Sequence, residues 1–154
     1  INTLEEKFKK SYDAILLLEP SSPFTRPEDY DKAIEIMIKE KYDLVVSVVE
    51  HKLDPKVIAT LGVKNSLDKI ITKLGSNLNL NRQTMGKNYT PNGCLYLFTV
   101  EHFTKHSRVY AVPSKSYGYV MPEAYSVEID EPIDLEWAIF LYQKGYIKSK
   151  YWEN

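Results

Sequence analysis

The sequence predicts an α/β domain in which helices cover both faces of a mainly parallel sheet, giving three αβα layers. Two apolar runs of strand length, residues 14–18 and 44–49, carry this prediction, and a helix-like segment from about residue 27 to residue 40 separates them. A strand, a helix and a second strand in this order form the unit from which parallel sheets are built. A length of 154 residues fits a single domain, assigned here to residues 1–154.

The first strand and the helix after it have clear local signals. Residues 14–18 are all apolar and lead into a proline-containing loop, which predicts a strand buried on both faces. Pro27 is accepted in the first turn of a helix, and Glu28 and Asp29 suit the positive end of the helix dipole. The apolar stripe that faces the core comprises Ala33, Ile34, Met37 and Ile38.

The rest of the chain continues the alternation less regularly. Residues 52–89 are predicted to form an excursion from the sheet, with short candidate strands at 57–59 and 70–71. An Asn-Gly turn then precedes a buried strand at 94–98 and a short helix near 100–106. Another apolar stretch, 118–122, precedes a last amphipathic helix that runs through about residue 144.

The net charge and the cysteine content limit the kinds of partner and the cellular compartment that we expect for this chain. With 20 Lys and Arg against 21 Asp and Glu, the chain has a net charge of −1, so neither nucleic acid nor an anionic membrane is the expected partner. Cys94 is the single cysteine, and we predict it to be a buried small residue in a reducing cytoplasm. His51, His102 and His106 are predicted to lie on the surface. No apolar run approaches the length of a membrane span, and no signal peptide is evident.

Three motifs, taken in order, resemble those of the CMP-sialic acid synthetase family. Residues 17–23 read Leu-Leu-Glu-Pro-Ser-Ser-Pro and are similar to the family's Leu-Gln-Pro-Thr-Ser-Pro loop. Arg82 and Gln83 precede Pro-Asn-Gly-Cys-Leu-Tyr at residues 91–96, and Ser-Val-Glu-Ile-Asp at residues 126–130 is followed by Asp134. Each motif alone is weak, whereas their order and spacing together indicate the family.

The resemblance implies a Rossmann-like nucleotide-sugar transferase fold and a cytidylyltransferase activity. Such an enzyme joins CTP to a nine-carbon 2-keto sugar acid of the N-acylneuraminate, legionaminate or pseudaminate type and releases pyrophosphate. Family members also begin with a strand and a glycine-containing loop that holds the CTP phosphates. The six glycines here are scattered, so we expect the chain to be the C-terminal two-thirds of such an enzyme, without its N-terminal part.

The resemblance assigns Mg²⁺ to Glu128 and Asp130. Carboxylate oxygens suit this ion, and two residues spaced by two at the end of a strand would share one face. Glu128 replaces the more usual Asp, and its longer side chain could act through water. On local sequence alone, Glu128, Asp130 and Glu131 could equally be exposed residues capping the following helix.

The remaining assignments concern the sugar acid. The resemblance gives catalytic roles to Arg82 and Asp130. Arg82 suits the sugar acid because a guanidinium pairs well with a carboxylate. Glu19 replaces the family's usual Gln and can only accept hydrogen bonds when ionised. The residues assigned to the sugar are Glu19, Ser22, Arg82, Gln83, Asn92, Gly93 and Tyr96.

Plainer interpretations of these residues stay open. Arg82 could be a surface residue, Asn92 with Gly93 a simple turn, and Tyr96 part of the core. The resemblance also implies a homodimer in which the excursion 52–89 closes the partner's sugar site. The alternatives for the whole chain are a non-catalytic sugar-binding or dimerising chain without the phosphate loop, and a relative acting on an eight-carbon acid such as 3-deoxy-manno-octulosonate.

Overall fold

The computed structural model describes residues 2–53, 55, 58–75 and 86–148. Short 3₁₀ turns lie at Val63–Asn65, Pro113–Lys115 and Glu123–Tyr125. The α/β class predicted from the sequence is confirmed. The helices and strands, in chain order, are α1 (Asn2–Phe8), β1 (Ala14–Leu17), α2 (Pro27–Glu40), β2 (Leu44–His51), α3 (Asp68–Gly75), β3 (Asn88–Thr99), α4 (Val100–His106), β4 (Ser116–Val120) and α5 (Pro132–Gln143).

The strands form one mixed sheet in the order β1-β3-β2-β4. β1 pairs with β3 antiparallel, and its last residue, Leu17, lies opposite Tyr96. β2 pairs with β4 in parallel, with Leu44 opposite Ser116. Since Leu17 is the last residue of β1, the loop that follows it lies beside the start of β3, where Asn92 and Gly93 are found.

The direction of β3 relative to β2 follows from two further contacts. The amide of Thr99 donates to Asp43 O at 3.0 Å. Four residues earlier on β3, the amide of Leu95 donates to Ser47 Oγ at 2.9 Å, and Ser47 Oγ donates to Leu95 O at 3.2 Å. A step of four residues back along β3, from Thr99 to Leu95, matches a step of four residues forward along β2, from Asp43 to Ser47. The two strands are therefore antiparallel. β1, β2 and β4 therefore run in one direction and β3 opposes them.

Both faces of the sheet are covered. Alternate residues of β2 face opposite sides, because side chains alternate along a strand. Val45 packs with Ala33 and Met37 of α2. Leu44 and Val46 pack instead with Phe98, whose ring lies 5.4 Å from that of Phe103 in α4. A third cluster joins α5 to the segment before it and comprises Val127, Ala138, Leu141 and Ile147.

Helix α2 has the predicted bounds. It begins at Pro27, and it ends at Glu40, after which Lys41 adopts a left-handed conformation with φ of 57°. The carboxylate of Asp29 in the first turn accepts the backbone N–H of Arg26 at 3.0 Å, which satisfies a donor at the helix start. The start and end agree with the sequence because their signals are local. The predicted stripe is only half right: Ala33 and Met37 are buried, whereas Ile34 and Ile38 are exposed.

Other predictions were wrong where packing decided the outcome. Residues 14–18 are not buried on both faces: the exposed fractions of Leu17 and Leu18 are 47% and 41%, because β1 lies at an edge of the described sheet. Ile70 and Ile71 belong to helix α3, not to a strand. His102 is buried, and its Nε2 lies 2.7 Å from Val109 O.

The chain divides into two compact units. The first comprises Ile1–Val49 with Pro91–Asn154, and the second comprises Glu50–Thr90. In the second unit, α3 follows a turn in which the amide of Gly62 donates to Ser66 O at 2.8 Å, and Lys87 pairs with Glu50 at 2.9 Å. None of the described residues of this unit is buried.

Across the described part of the chain, no helix is both long and apolar enough to cross a membrane.

We predict that Ser47→Val lowers the free energy of unfolding by about 1–3 kcal/mol. Ser47 has no exposed surface, and valine leaves the amide and carbonyl of Leu95 without their hydroxyl partner. Valine also adds one methyl group, as threonine does, so the two variants differ only in the hydroxyl. Ser47→Thr keeps the hydroxyl and should recover part of the loss. Urea unfolding measures all three proteins, and a Ser47→Val variant as stable as the wild type would contradict the role of the hydroxyl.

Candidate functional site

The motifs singled out in the sequence meet beyond the carboxyl end of β1. The loop after β1 makes a turn in which the amide of Ser22 donates to Glu19 O at 3.1 Å. The amide of Ile129 donates to Ser21 O at 2.8 Å, which fastens the third motif to the first. In open α/β sheets, ligands bind in crevices outside the carboxyl ends of parallel strands. The location is therefore suited to a binding site.

Asn92 links the second motif to the third. Its side chain is buried, and its Nδ2 donates to Ser126 Oγ at 2.8 Å, while its Oδ1 accepts the amide of Cys94 at 3.4 Å. Ser126 Oγ in turn donates to Pro122 O at 2.9 Å. The side-chain amide of Asn92 thus holds this part of β3 against the segment that carries Glu128.

Gly93 brings a carboxylate against the backbone. Its φ of +71° lies in the left-handed region that favours glycine, and a Cβ at this position would lie 2.8 Å from Glu128 Oε1 and 3.1 Å from Glu128 Cδ. A side chain at this position would force the Glu128 carboxylate to move. The glycine of the Asn-Gly pair therefore does more than form a turn.

Glu128 belongs to a group of mutually repelling carboxylates. It is partly buried, and its side chain lies within hydrogen-bonding reach of Glu19. Burial raises the pKa of the Glu128 carboxyl above its ordinary value, and the charges of Asp130 and Glu19 raise it further. A cation at this point would relieve the repulsion and favour the ionised form.

Asp130 occupies a different environment. Residues 126–130 are irregular and not the end of a strand, so the expectation of a shared strand face was wrong. Asp130 is exposed, and its amide donates to Asp134 Oδ2 at 3.1 Å. Asp134 Oδ2 also accepts the amide of Glu131 at 2.9 Å, so Asp134 closes the start of α5. The carboxylate of Asp130 itself is not the capping group.

The described residues contain no group of three or more His, Cys, Asp or Glu side chains arranged to hold a metal ion. Mg²⁺ does not require one, because it is commonly held by one or two carboxylates together with substrate phosphates and water. The oxygen donors of Glu128 and Asp130, with the repulsion that raises the pKa of Glu128, fit that pattern. Phosphate oxygens would have to complete the coordination.

A pair of tyrosines, Tyr96 and Tyr110, lies near the carboxylates of Glu19 and Glu128. The rings of Tyr96 and Tyr110 meet edge to face with centroids 6.4 Å apart. Burial, followed by the neighbouring Tyr110 and the charge of Glu19, raises the pKa of Tyr96 to about 12. Tyr96 therefore stays a neutral hydrogen-bonding group at physiological pH. Tyr110 lies outside the three motifs and meets Tyr96 only through the fold, so no local signal in the sequence indicates this contact.

Cys94 is a buried residue of β3, two positions before Tyr96. Burial raises the pKa of its thiol, and the hydroxyls of Ser22 and Thr25 lie close to it. A buried thiol with a raised pKa is a poor nucleophile, so the prediction of a buried small residue is confirmed. Ser22 is likewise buried.

Arg82 and Gln83 lie outside the described residues, so their assigned roles stay predictions. The other residues assigned from the sequence are found in the loop after β1, at the start of β3 and in the segment before α5, and these regions are joined by the contacts above. They are Glu19, Ser22, Asn92, Gly93, Tyr96, Glu128 and Asp130.

We predict that Gly93→Ala is more destabilising than Gly145→Ala. Both glycines have nearly the same φ, +71° and +72°, but nothing lies within 4 Å of a Cβ at Gly145. Gly145→Ala should lose about 1–2 kcal/mol for the left-handed conformation alone. Gly93→Ala should lose more, because it also displaces Glu128.

A double variant isolates that second cost. Adding Glu128→Ala to Gly93→Ala removes the obstructing carboxylate and should bring the loss of stability back towards that of Gly145→Ala. Thermal or urea unfolding of the four proteins gives the comparison. Equal losses for the two single glycine variants would show that displacing the Glu128 carboxylate costs no stability, which would contradict a fixed position of Glu128 against Gly93.

Comparison with known proteins places these contacts in context. No family model matches the chain. It is 29% identical over 136 residues to an N-acylneuraminate cytidylyltransferase of Escherichia coli. The aligned region covers 86% of this chain and 30% of that protein. It is 30% identical over 128 residues to the CMP-N,N'-diacetyllegionaminic acid synthase of Legionella pneumophila, covering 83% of this chain and 52% of the relative.

A further relative is the post-translational flagellin modification protein B of Campylobacter coli, which is 24% identical over 147 residues and matches 95% of this chain and 60% of its own length. The chain thus spans between about a third and three-fifths of the length of these relatives. The resemblance drawn from the motifs is confirmed: the chain is a relative of the CMP-sialic acid synthetases.

Proposed function

We propose that this chain carries the sugar-acid and metal-binding part of a cytidylyltransferase that joins CTP to a sialic-acid-like nine-carbon 2-keto acid, giving a CMP-sugar and pyrophosphate. The observation that supports this most is the meeting of the three motifs, through the bonds from Ile129 to Ser21 and from Asn92 to Ser126. The names of the relatives supply the reaction class. We place the activity in the cytoplasm, where its nucleotide substrate is made.

In the proposed reaction, the anomeric hydroxyl of the sugar acid attacks the α-phosphate of CTP. A bond forms between that oxygen and the α-phosphorus, the bond to the bridging oxygen breaks, and pyrophosphate leaves with its electron pair. The hydroxyl proton passes to solvent. The protein's main contribution is to hold the two substrates in line. Mg²⁺, bound through Glu128 and Asp130, would neutralise charge on the phosphates.

The sugar acid is proposed to lie beside Glu128, whose carboxylate occupies the space at Gly93, and to contact the tyrosine pair. The neutral hydroxyl of Tyr96 can donate to or accept from sugar hydroxyls, and Glu19 can accept from a hydroxyl or an amide N–H. Ser22 and Asn92, both buried, are proposed to line the site. Arg82 and Gln83 are proposed to bind the carboxylate of the acid.

A second candidate function is sugar-acid binding without nucleotidyl transfer. One observation favours it: the six glycines of the chain are scattered, at positions 62, 75, 86, 93, 118 and 145, and form no phosphate-binding loop. Such a chain would bind the acid and dimerise but release no pyrophosphate.

We predict Mg²⁺-dependent pyrophosphate release from CTP when this chain is supplied with N-acetylneuraminate, legionaminate or pseudaminate. Asp130→Asn should lower the rate at least on the order of 100-fold, because a metal ion contributes several kcal/mol of charge stabilisation. Asp31→Asn, an exposed change on α2, is the matched control and should leave the rate unchanged.

Each outcome decides between the candidates. Release that survives Asp130→Asn would contradict the metal assignment. Binding of a sugar acid in calorimetry, without pyrophosphate release by the folded chain, would favour the non-catalytic function. Neither binding nor release with any of the acids would contradict both.

We also propose that the chain forms a homodimer through the second compact unit, Glu50–Thr90. The support is that eight large apolar side chains are exposed on a unit whose described residues include none that is buried. Large apolar side chains left open to solvent in this way are typical of association surfaces. The exposed apolar residues there are Leu53, Ile58, Leu61, Val63, Leu67, Ile71, Leu74 and Tyr89.

We predict that Ile71→Glu shifts the dimer towards monomer, whereas Ile38→Glu does not. Both isoleucines are exposed on helices, with exposed fractions of 62% and 70%, but Ile38 belongs to α2 in the first unit. A buried charge without a partner would weaken the association. Sedimentation equilibrium gives the masses, and a wild-type monomer at micromolar concentration would refute the dimer.

A further inference from the structure

Arg26 and Asp29 form an ion pair that the proposed reaction does not use. Arg26 Nη2 lies 2.8 Å from Asp29 Oδ1, and Arg26 Nε donates to Asp29 Oδ2 at 2.9 Å. The hydroxyl of Tyr119 in β4 donates to Asp29 Oδ1 at 2.9 Å. With the backbone N–H of Arg26 on Oδ2, both oxygens of this fully buried carboxylate are satisfied.

The carboxylate of Asp29 is held in its charged form. Burial alone would raise its pKa, but the hydrogen bonds from Arg26 and Tyr119 outweigh burial, and the pKa lies below its ordinary value of 3.8. The hydrogen bond to Asp29 raises the pKa of the Arg26 guanidinium above its ordinary value. The guanidinium is therefore fixed by a bidentate, charge-assisted contact.

The edge of the guanidinium binds Asp29, and one of its faces lies over an aromatic ring. Arg26 Cζ lies 4.2 Å from the centroid of Tyr125. The hydroxyl of Tyr125 accepts the amide of Lys148 at 3.0 Å, which holds its far end. Tyr125 directly precedes Ser126, the partner of Asn92, and lies three positions before Glu128. Arg26 thus connects α2 and the loop after β1 to the segment that supplies the carboxylate of the site.

Lysine could not make the same connection. It offers a point charge on a flexible stem, whereas arginine presents a planar fork that can bind a carboxylate at its edge and an aromatic ring at its face together. Both contacts are used here. The choice of arginine therefore indicates a requirement for orientation and not only for charge.

We propose that Arg26 is a positioning residue: by bridging Asp29 and Tyr125, it holds residues 125–128 so that Glu128 stays against Gly93 in a sugar-acid site. The role in binding rests on the proposed function, whereas the bridge itself can be tested without any ligand. Two measurements separate these questions.

The first measurement is amide hydrogen exchange of the whole chain by NMR. The variants are Arg26→Lys, which keeps the charge, Tyr125→Leu, which removes the ring, and Tyr125→Phe, which keeps it. Arg108→Lys, at an exposed arginine, is the control. We expect the first two variants to speed exchange of the Ile129 amide at least tenfold, while the Leu97 amide in the core exchanges as in the wild type.

Tyr125→Phe should stay close to the wild type at Ile129, because the stacked face of the ring is retained. Equal acceleration at Ile129 and Leu97 would indicate a general loss of stability and overturn the positioning role. Unchanged exchange at Ile129 in Arg26→Lys and Tyr125→Leu would also overturn it.

The second measurement is calorimetric titration of the same proteins with N-acetylneuraminate. If the bridge positions the site, Arg26→Lys and Tyr125→Leu should weaken binding on the order of 10-fold, and Tyr125→Phe and Arg108→Lys should not. Wild-type affinity in the first two variants would overturn the link to the site. A wild-type chain that binds none of the nine-carbon acids would contradict the proposed function, and the exchange rates would still decide whether the bridge exists.

Discussion

The buried carboxylate of Asp29 is the constraint on which the arrangement of the site depends. An ionised carboxylate with no exposed surface needs donors on every side, and the chain supplies them from Arg26 before α2 and from Tyr119 in β4. Separating either donor from Asp29 would leave part of this buried charge without a partner, so these elements cannot move apart cheaply. The start of α2, β4 and, through the ring of Tyr125, the segment before α5 are thereby fixed together.

The antiparallel direction of β3 gives the site its second requirement. Since β3 opposes the other strands, it begins at the edge where β1 ends, and the loop after β1 faces Asn92 and Gly93. The left-handed backbone of Gly93 then admits the carboxylate of Glu128. Three stretches that are far apart in the chain are thus brought together by strand order, one glycine and two hydrogen bonds.

Much of the fold could be predicted because its signals are local. The bounds of α2 follow from a proline at its start and an apolar stripe along it, and the helix after Thr99 has a capping hydroxyl that accepts the His102 amide. The predictions for β1 and for Ile70 with Ile71 failed because edge position and helical packing depend on distant partners. His102 was placed on the surface for the same reason, since its partner, Val109 O, lies beyond the helix.

The site was predictable as a set of residues but not as a set of contacts. Motif order identified Glu19, Gly93 and Glu128, yet nothing in the sequence indicates that the two carboxylates approach each other or that Tyr110 joins Tyr96. The central claim, that a sugar acid binds where these residues meet, is tested most directly by a crystal structure of the chain with N-acetylneuraminate. The account predicts the acid beside Glu128, in contact with Tyr96 and Glu19. An acid bound elsewhere, with that place left to water, would contradict it.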